Sequence, residues 1–222
     1  MFPLYGKYNS EQNWVKINEV YVLNLSILPA IAGLTWIGGN LFSRDIILLW
    51  TGKEELYSGT LLMFVLGGYG FVLSIVNTHA NLLGGMNLVR NTVKLAWLEA
   101  LLNLLLSIIL VKYLGLAGVA LGTFLASFFV PFLLLPYYVN HNTGRKVTLP
   151  LRNLVKMFLI TFLFSVLSAI VEKEVVEFIT RLFIFLIISI LLILKYWSLM
   201  DKGKRLMVKN AMKEILLKIK LV

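Results

Sequence analysis

One carboxylate stands inside a long apolar run of this chain, where acidic side chains are rare. The residue is Glu99, in the segment KLAWLEALLNLLLSIIL. A charge within a membrane-spanning helix costs at least about 2.5 kcal/mol on insertion scales, so such residues generally pair with another group or serve an ion or substrate pathway. Glu99 is therefore a candidate either for coupling to an ion or substrate, or for balancing a nearby positive charge.

Two cations precede Glu99 in the sequence. Arg90 and Lys94 flank the end of the same apolar run that is predicted to face the cytoplasm. Guanidinium and ammonium groups donate charge-assisted hydrogen bonds to phosphate oxygens, so this pair could hold a diphosphate. Alternatively, both are ordinary cations at the cytoplasmic end of a span. Glu99 could pair with Lys94, pair with a cation on another helix, or hydrogen-bond Asn103. Asn103 itself could take part in coupling or charge balancing with Glu99, or it could join two helices by hydrogen bonds.

Residue sets typical of enzymes are missing from the sequence. The chain has no cysteine, and it shows no Ser/His/Asp arrangement, paired carboxylates, phosphate-binding glycine loop or acidic metal cluster. His79 has no second ligand near it in sequence, so a metal site there is not expected. The sequence predicts a protein that is not an enzyme and that needs no metal or cofactor.

Six long apolar stretches must position these residues. The composition is 59% hydrophobic and 14% charged, with a mean hydropathy of +0.85. Each stretch matches the ~20 residues that a helix needs to cross a bilayer, and none alternates in polarity as a barrel strand does. The sequence therefore predicts an all-α, polytopic bundle of six transmembrane helices. The predicted spans are 20–42, 60–83, 93–113, 117–139, 154–171 and 178–197.

The basic residues are distributed unevenly between the two sides of the predicted membrane. If the chain starts in the cytoplasm, the inner segments hold sixteen of the twenty-one Lys and Arg residues and the outer segments hold five. This bias predicts a multi-pass protein of the cell membrane with both termini cytoplasmic. The net charge of +10 then reflects topology, and a nucleic-acid partner is not expected.

Prolines, glycines and a basic tail add further expectations. Pro29 lies inside the first span, while Pro131 and Pro136 interrupt the fourth. Several glycines reduce the side-chain bulk of the first two spans. This indicates close helix packing or, alternatively, hinges for alternating access. Residues 201–222 repeat apolar positions at helical spacing opposite lysines, which predicts a basic amphipathic helix on the cytoplasmic membrane surface.

Three pieces of the sequence, within about Phe2–Tyr138, carry a family resemblance. The first is the helix with Asn103, followed by GLAGVA at 115–120 and GT at 122–123. The second is LPAIAGL at 28–34, which leads to IILLWTG at 46–52. The third is the opening Phe2-Pro3, which is similar to a turn where a preceding helix meets the cytoplasm. These pieces resemble the polysaccharide and lipid-linked oligosaccharide flippases of the multidrug/oligosaccharidyl-lipid/polysaccharide exporter superfamily. The last two spans fit that family only by number and hydrophobicity.

The resemblance implies a place for each part of the chain in a larger transporter. Such flippases have about fourteen helices, in two six-helix lobes and a trailing pair, and move lipid-diphosphate-linked glycans outward by alternating access. Residues 1–139 would supply the last four helices of the second lobe, and residues 153–198 the trailing pair. The implied partners are the bilayer, a polyprenyl-diphosphate-linked glycan and the missing N-terminal part of the transporter. Arg90 and Lys94 would attract the diphosphate.

Two alternatives remain open from the sequence. One is part of an ion-coupled multidrug exporter of the same superfamily. The other is a non-transporting membrane subunit, or a remnant of a split gene, because the first lobe of the implied transporter is missing.

Overall fold

The regular structure of this chain is helical in a computed structural model that describes residues 2–173, 178–199, 203, 205 and 206. The helices are α1 (Phe2–Ser10), α2 (Trp14–Thr51), α3 (Thr60–Gly85), α4 (Val89–Leu114), α5 (Leu116–Ser127), α6 (Leu133–Asn142), α7 (Leu151–Lys173) and α8 (Phe178–Leu199). A 3₁₀ turn at Glu54–Leu56 follows α2, and a π-helical turn at Phe128–Phe132 joins α5 to α6.

The predicted all-α bundle with six membrane-spanning helices is confirmed. Helices α2, α3, α4, α7 and α8, together with the continuous α5–α6 unit, are each long and apolar enough to cross a bilayer. The prediction of a basic amphipathic tail falls on residues 201–222, which lie outside the described residues except for 203, 205 and 206.

Helix α2 is much longer than the predicted span 20–42. Its 38 residues begin after Asn13, whose side chain accepts a hydrogen bond from the Lys16 amide, and end at Thr51, before Gly52, which has φ of +67°. At 1.5 Å per residue, α2 is about 57 Å long, nearly twice the ~30 Å hydrocarbon core. Hydropathy marks the apolar middle of a helix, whereas caps set its ends. The helix also continues through Pro29.

The opening residues form a helix, not the turn expected at Phe2-Pro3. Proline is tolerated in the first helical turn, where its missing N–H would have no partner. Helix α1 packs against α3, and its Tyr5 is fully buried. The Asn24 amide donates a 3.1 Å hydrogen bond to the Tyr5 hydroxyl. Burial raises the pKa of Tyr5 to about 12, so the phenol stays neutral and fixes α1 to α2.

Helices α2 and α3 meet where a tryptophan lies over two glycines. A Cβ on Gly68 would stand 3.0 Å from Trp36 Cζ2, and one on Gly67 would overlap the same indole. Trp36 is buried and also contacts the rings of Phe71 and Phe158. Close packing is therefore the role of this glycine pair, as small residues in membrane helices predict. Gly70, by contrast, faces open space.

Polar contacts attach α7 and α8 to α2. Arg181 of α8 makes an ion pair with Asp45 at 2.8 Å and donates to the Leu41 carbonyl at 2.9 Å. The Asn40 amide donates to the Ser165 carbonyl of α7 at 3.1 Å and to the Ser168 hydroxyl at 3.2 Å. Because polar groups within a bilayer need protein partners, these bonds specify where the last two helices dock.

Candidate functional site

Arg90 and Lys94, four residues apart on α4, share one cavity. The cavity holds about 520 Å³ and lies where the start of α4 meets the end of α6. Asn87 and Leu88, from the turn before α4, and Asn142, from the last turn of α6, complete its lining. Both cations are exposed, so their charges face the cavity and solvent. Two cationic groups and two amides can donate several hydrogen bonds to one phosphate or diphosphate.

The turn before α4 gives this cavity its shape. Asn87 has φ of +60°, a left-handed conformation that asparagine adopts more readily than most residues. Its amide and that of Leu88 donate back to the Gly84 and Leu83 carbonyls at 2.9 Å and 2.8 Å, which closes the end of α3. The chain therefore reverses within three residues, and the first turn of α4 stands beside the end of α3.

Glu99 does not lie with these cations. It lines a separate groove of about 270 Å³, with residues of α3, α4 and the proline-containing end of the fourth span, including Thr92, Pro131 and Leu135. Among the described residues of this groove, Glu99 carries the one charge. Nine residues at 100° each turn the helix by about 900°, so Glu99 and Arg90 are on opposite faces of α4. The Glu99 carboxylate therefore does not directly balance the charge of Arg90 in this fold.

The hydrogen-bond partner of Glu99 is on another helix. Ser127, the last residue of α5, donates its hydroxyl to Glu99 Oε1. No ion pair with Lys94 and no bond to Asn103 is found among the described residues, so neither of those two expected contacts is made. Ser127 was not singled out from the sequence, although a hydroxyl in an apolar run four residues before a proline is a usable signal.

The backbone is irregular at this contact. Pro131 has no N–H to donate to the carbonyl of Ser127, and the chain forms a π-helical turn over Phe128–Phe132 before α6 begins. Such π turns within helices occur often at functional positions. Pro131 thus interrupts the α-helical hydrogen bonding of the fourth span as predicted, and the interruption begins beside the residue that binds the Glu99 carboxylate. The same prediction for Pro136 is wrong, because α6 continues through that residue.

Asn103 joins α4 to α5. Its Oδ1 accepts from the Ser107 hydroxyl at 2.9 Å and from the Thr123 hydroxyl of α5 at 3.1 Å. The two helices approach closely at Gly122. A Cβ added there would stand 2.6 Å from the Ser107 Oγ, which is too close, so this packing requires glycine. One glycine, Gly115, forms the turn between them at φ of +56° and ψ of −135°. The helix-joining role weighed for Asn103 is confirmed.

His79 is buried in α3 and lines neither of these two cavities. Its Nδ1 lies 3.1 Å from the Tyr21 hydroxyl, and its Nε2 has no hydrogen-bond partner among the described residues. Within that part of the chain, no group of three His, Asp or Glu side chains could hold a metal ion. His79 therefore acts as a packed core residue with one hydroxyl partner.

Comparisons with family models, with curated proteins and with solved structures each give no match for this chain. The fold and the site thus define a class, that of polytopic α-helical membrane proteins with a cationic cavity at one end of the bundle.

Proposed function

We propose that this chain is the C-terminal part of a flippase that moves lipid-diphosphate-linked oligosaccharide or polysaccharide precursors across the cell membrane by alternating access. The observation that carries this proposal is the cavity in which Arg90, Lys94, Asn87 and Asn142 meet. Its donors suit a diphosphate, and its position at a helix end suits a headgroup at the membrane surface. The resemblance of the segment Leu82–Tyr138 to polysaccharide exporters supports the same assignment.

The mechanism follows from the placement of the charges. In the proposed orientation, Arg90 and Lys94 attract the diphosphate from the cytoplasmic leaflet, while the hydrocarbon tail of the carrier stays in the bilayer. The outer face of α4 is strongly apolar, with Trp97, Leu101 and Leu105 all exposed. This face suits contact with lipid tails or with the missing N-terminal part of the transporter, which would supply the opposite wall of a transport path.

Binding of undecaprenyl diphosphate to the full chain in lipid nanodiscs tests the site. We expect Arg90→Ala combined with Lys94→Ala to weaken binding by about tenfold or more, since each charge-assisted hydrogen bond contributes ~1.5–3 kcal/mol. Undecaprenol, which lacks phosphate, should bind the native chain as weakly as the diphosphate binds the double variant. The dissociation constants are measured by equilibrium titration, with thermophoresis as the readout.

Lys112→Ala is the matched control for this experiment. Lys112 is an exposed cation in the last turn of the same helix, at the opposite end from Arg90. Its loss removes one positive charge, half of what the double variant removes, without touching the cavity. Equal weakening by Lys112→Ala, or undiminished binding by the double variant, would show that the cavity does not hold the diphosphate.

A second candidate function is an ion-coupled multidrug exporter of the same superfamily. The observation in its favour is the contact of Glu99 with Ser127 beside the π-helical turn, within a mainly apolar groove. A carboxylate at a helix break can change its charge and its partner together, which is what ion coupling requires. A non-transporting membrane subunit remains the third possibility, and it predicts that neither charged site affects transport.

A further inference from the structure

A second cationic cavity lies on the other side of α6 from the proposed diphosphate site. It holds about 500 Å³ and is lined by Tyr137, Asn140, His141, Gly144 and Arg145. The spacing of these residues follows one face of α6 and the turn after it. Asn142, which lines the proposed diphosphate cavity, is two residues from Asn140 and so points about 200° away around the helix. The two cavities are therefore distinct.

The turn after α6 holds Arg145 beside this face. Its amide donates to the Asn140 carbonyl at 3.1 Å, and the Thr143 amide donates to the Val139 carbonyl at 3.0 Å. Gly144 and Arg145 have φ of +57° and +61°, which is the left-handed region. Arg145 adopts this conformation although it is unfavourable for residues that have a Cβ. The turn places Arg145 at the same cavity as His141 and Tyr137.

The neighbouring cation, Lys146, faces elsewhere. Its Nζ lies 4.6 Å from the centre of the Trp14 ring, at the start of α2. Arg145 makes no ion pair with an acidic side chain of the described residues. The two adjacent cations thus differ in their surroundings. Lys146 packs on Trp14 of α2, whereas Arg145 supplies charge to the cavity.

The cavity has the environment of a lipid headgroup site. The Tyr137 side chain is 64% exposed, and its ring stacks on His141 with centroids 6.2 Å apart. Leu133 and Leu134, one turn farther into the span, are also exposed and continue the same side of α6 with apolar surface. A phosphate in the cavity would therefore have acyl chains directly below it.

We propose that this cavity binds the phosphate of an anionic glycerophospholipid. The Arg145 guanidinium donates two parallel hydrogen bonds to the phosphate oxygens, and the Tyr137 hydroxyl and Asn140 amide supply further donors. The acyl chains lie along Leu133 and Leu134. This site does not depend on the proposed transport function, since it shares no residue with the Arg90 cavity.

Native mass spectrometry of the full chain in detergent micelles, titrated with phosphatidylglycerol, tests this site. Arg145→Gly should weaken binding by about tenfold, because it removes a charged hydrogen-bond donor. Glycine adopts φ near +61° without a steric penalty, so the variant keeps the turn. Lys146→Ala removes the adjacent cation and should leave phosphatidylglycerol binding unchanged.

Three outcomes would overturn the proposal. They are undiminished binding by Arg145→Gly, equal weakening by Arg145→Gly and Lys146→Ala, and displacement of the lipid by millimolar inorganic phosphate. The last result would assign the cavity to a free phosphate. Phosphatidylcholine, which has no net charge, should bind more weakly than phosphatidylglycerol. The double variant Arg90→Ala, Lys94→Ala should bind phosphatidylglycerol as the native chain does, which separates this site from the diphosphate cavity.

Discussion

Glu99 and the cations before it are neighbours in sequence but not in their surroundings. Arg90 and Lys94 face an open polar cavity, whereas Glu99 is half-buried in an apolar groove and accepts from Ser127. A carboxylate in such a groove is stabilised by its hydrogen bond and not by a nearby cation. Glu99 can therefore be substituted without any change at the cavity of Arg90 and Lys94.

Glu99→Gln tests whether the carboxylate takes part in transport. We expect the export of glycan by the intact transporter to fall by a factor of about 5–150, which corresponds to the usual coupling free energy of ~1–3 kcal/mol. Undecaprenyl diphosphate binding should not change, because the variant leaves Arg90 and Lys94 in place. Glutamine can also accept from Ser127, so the fold is preserved. Unchanged export would end the case for coupling through Glu99.

Helices α7 and α8 are held to α2 by polar groups as well as by apolar packing. The Arg181 side chain is 12% exposed and that of Asp45 is 35% exposed, so their ion pair is partly shielded from water. By contrast, the pair of Arg44 with Glu54 lies at the surface, with both side chains more than half exposed. Two ion pairs at the same end of α2 thus differ mainly in burial.

Asp45→Asn should lower the free energy of unfolding by roughly 1–3 kcal/mol, because it leaves the shielded Arg181 without a carboxylate. The matched control Glu54→Gln breaks the surface pair and should cost only ~0–1 kcal/mol. Denaturation of the purified chain in micelles measures both values. Adding Arg181→Gln to Asp45→Asn should recover part of the loss, and equal costs for the two single variants would mean that the Asp45 pair does not hold α8.

At the scale of the whole molecule, orientation is the property that the charges predict. Ser58 lies in the loop between α2 and α3, and Thr148 lies in the loop between α6 and α7. The positive-inside bias predicts that the first loop lies outside the cell and the second in the cytoplasm. Both residues are exposed, so they can report the side on which they lie.

Single cysteines can be labelled without background, because the chain has none of its own. An impermeant maleimide applied to intact cells should modify Ser58→Cys fully, and should modify Thr148→Cys only after the membrane is permeabilised. Labelling of both variants in intact cells, or the reverse pattern, would contradict the proposed orientation.

Much of the fold, but less of the site, could be predicted from the sequence. Hydropathy located all six spans, and the two cations Arg90 and Lys94 were recognised as flanking one end of the third span. The partner of Glu99 could not be predicted, since Ser127 is 28 residues away and meets it only through the packing of α4 on α5. The end of α2 was also missed, because polar residues can continue a helix beyond the hydrocarbon core.

The sequence by itself determined the six membrane helices and the uneven distribution of charge, because the bilayer imposes both requirements on each segment separately. Tertiary structure decided which polar groups meet. It separated Glu99 from Arg90, joined Arg181 to Asp45, and set Arg145 apart from Lys146. These pairings depend on how helices rotate and pack against one another, and small residues such as Gly67 and Gly122 set that packing through shape, which hydropathy does not measure.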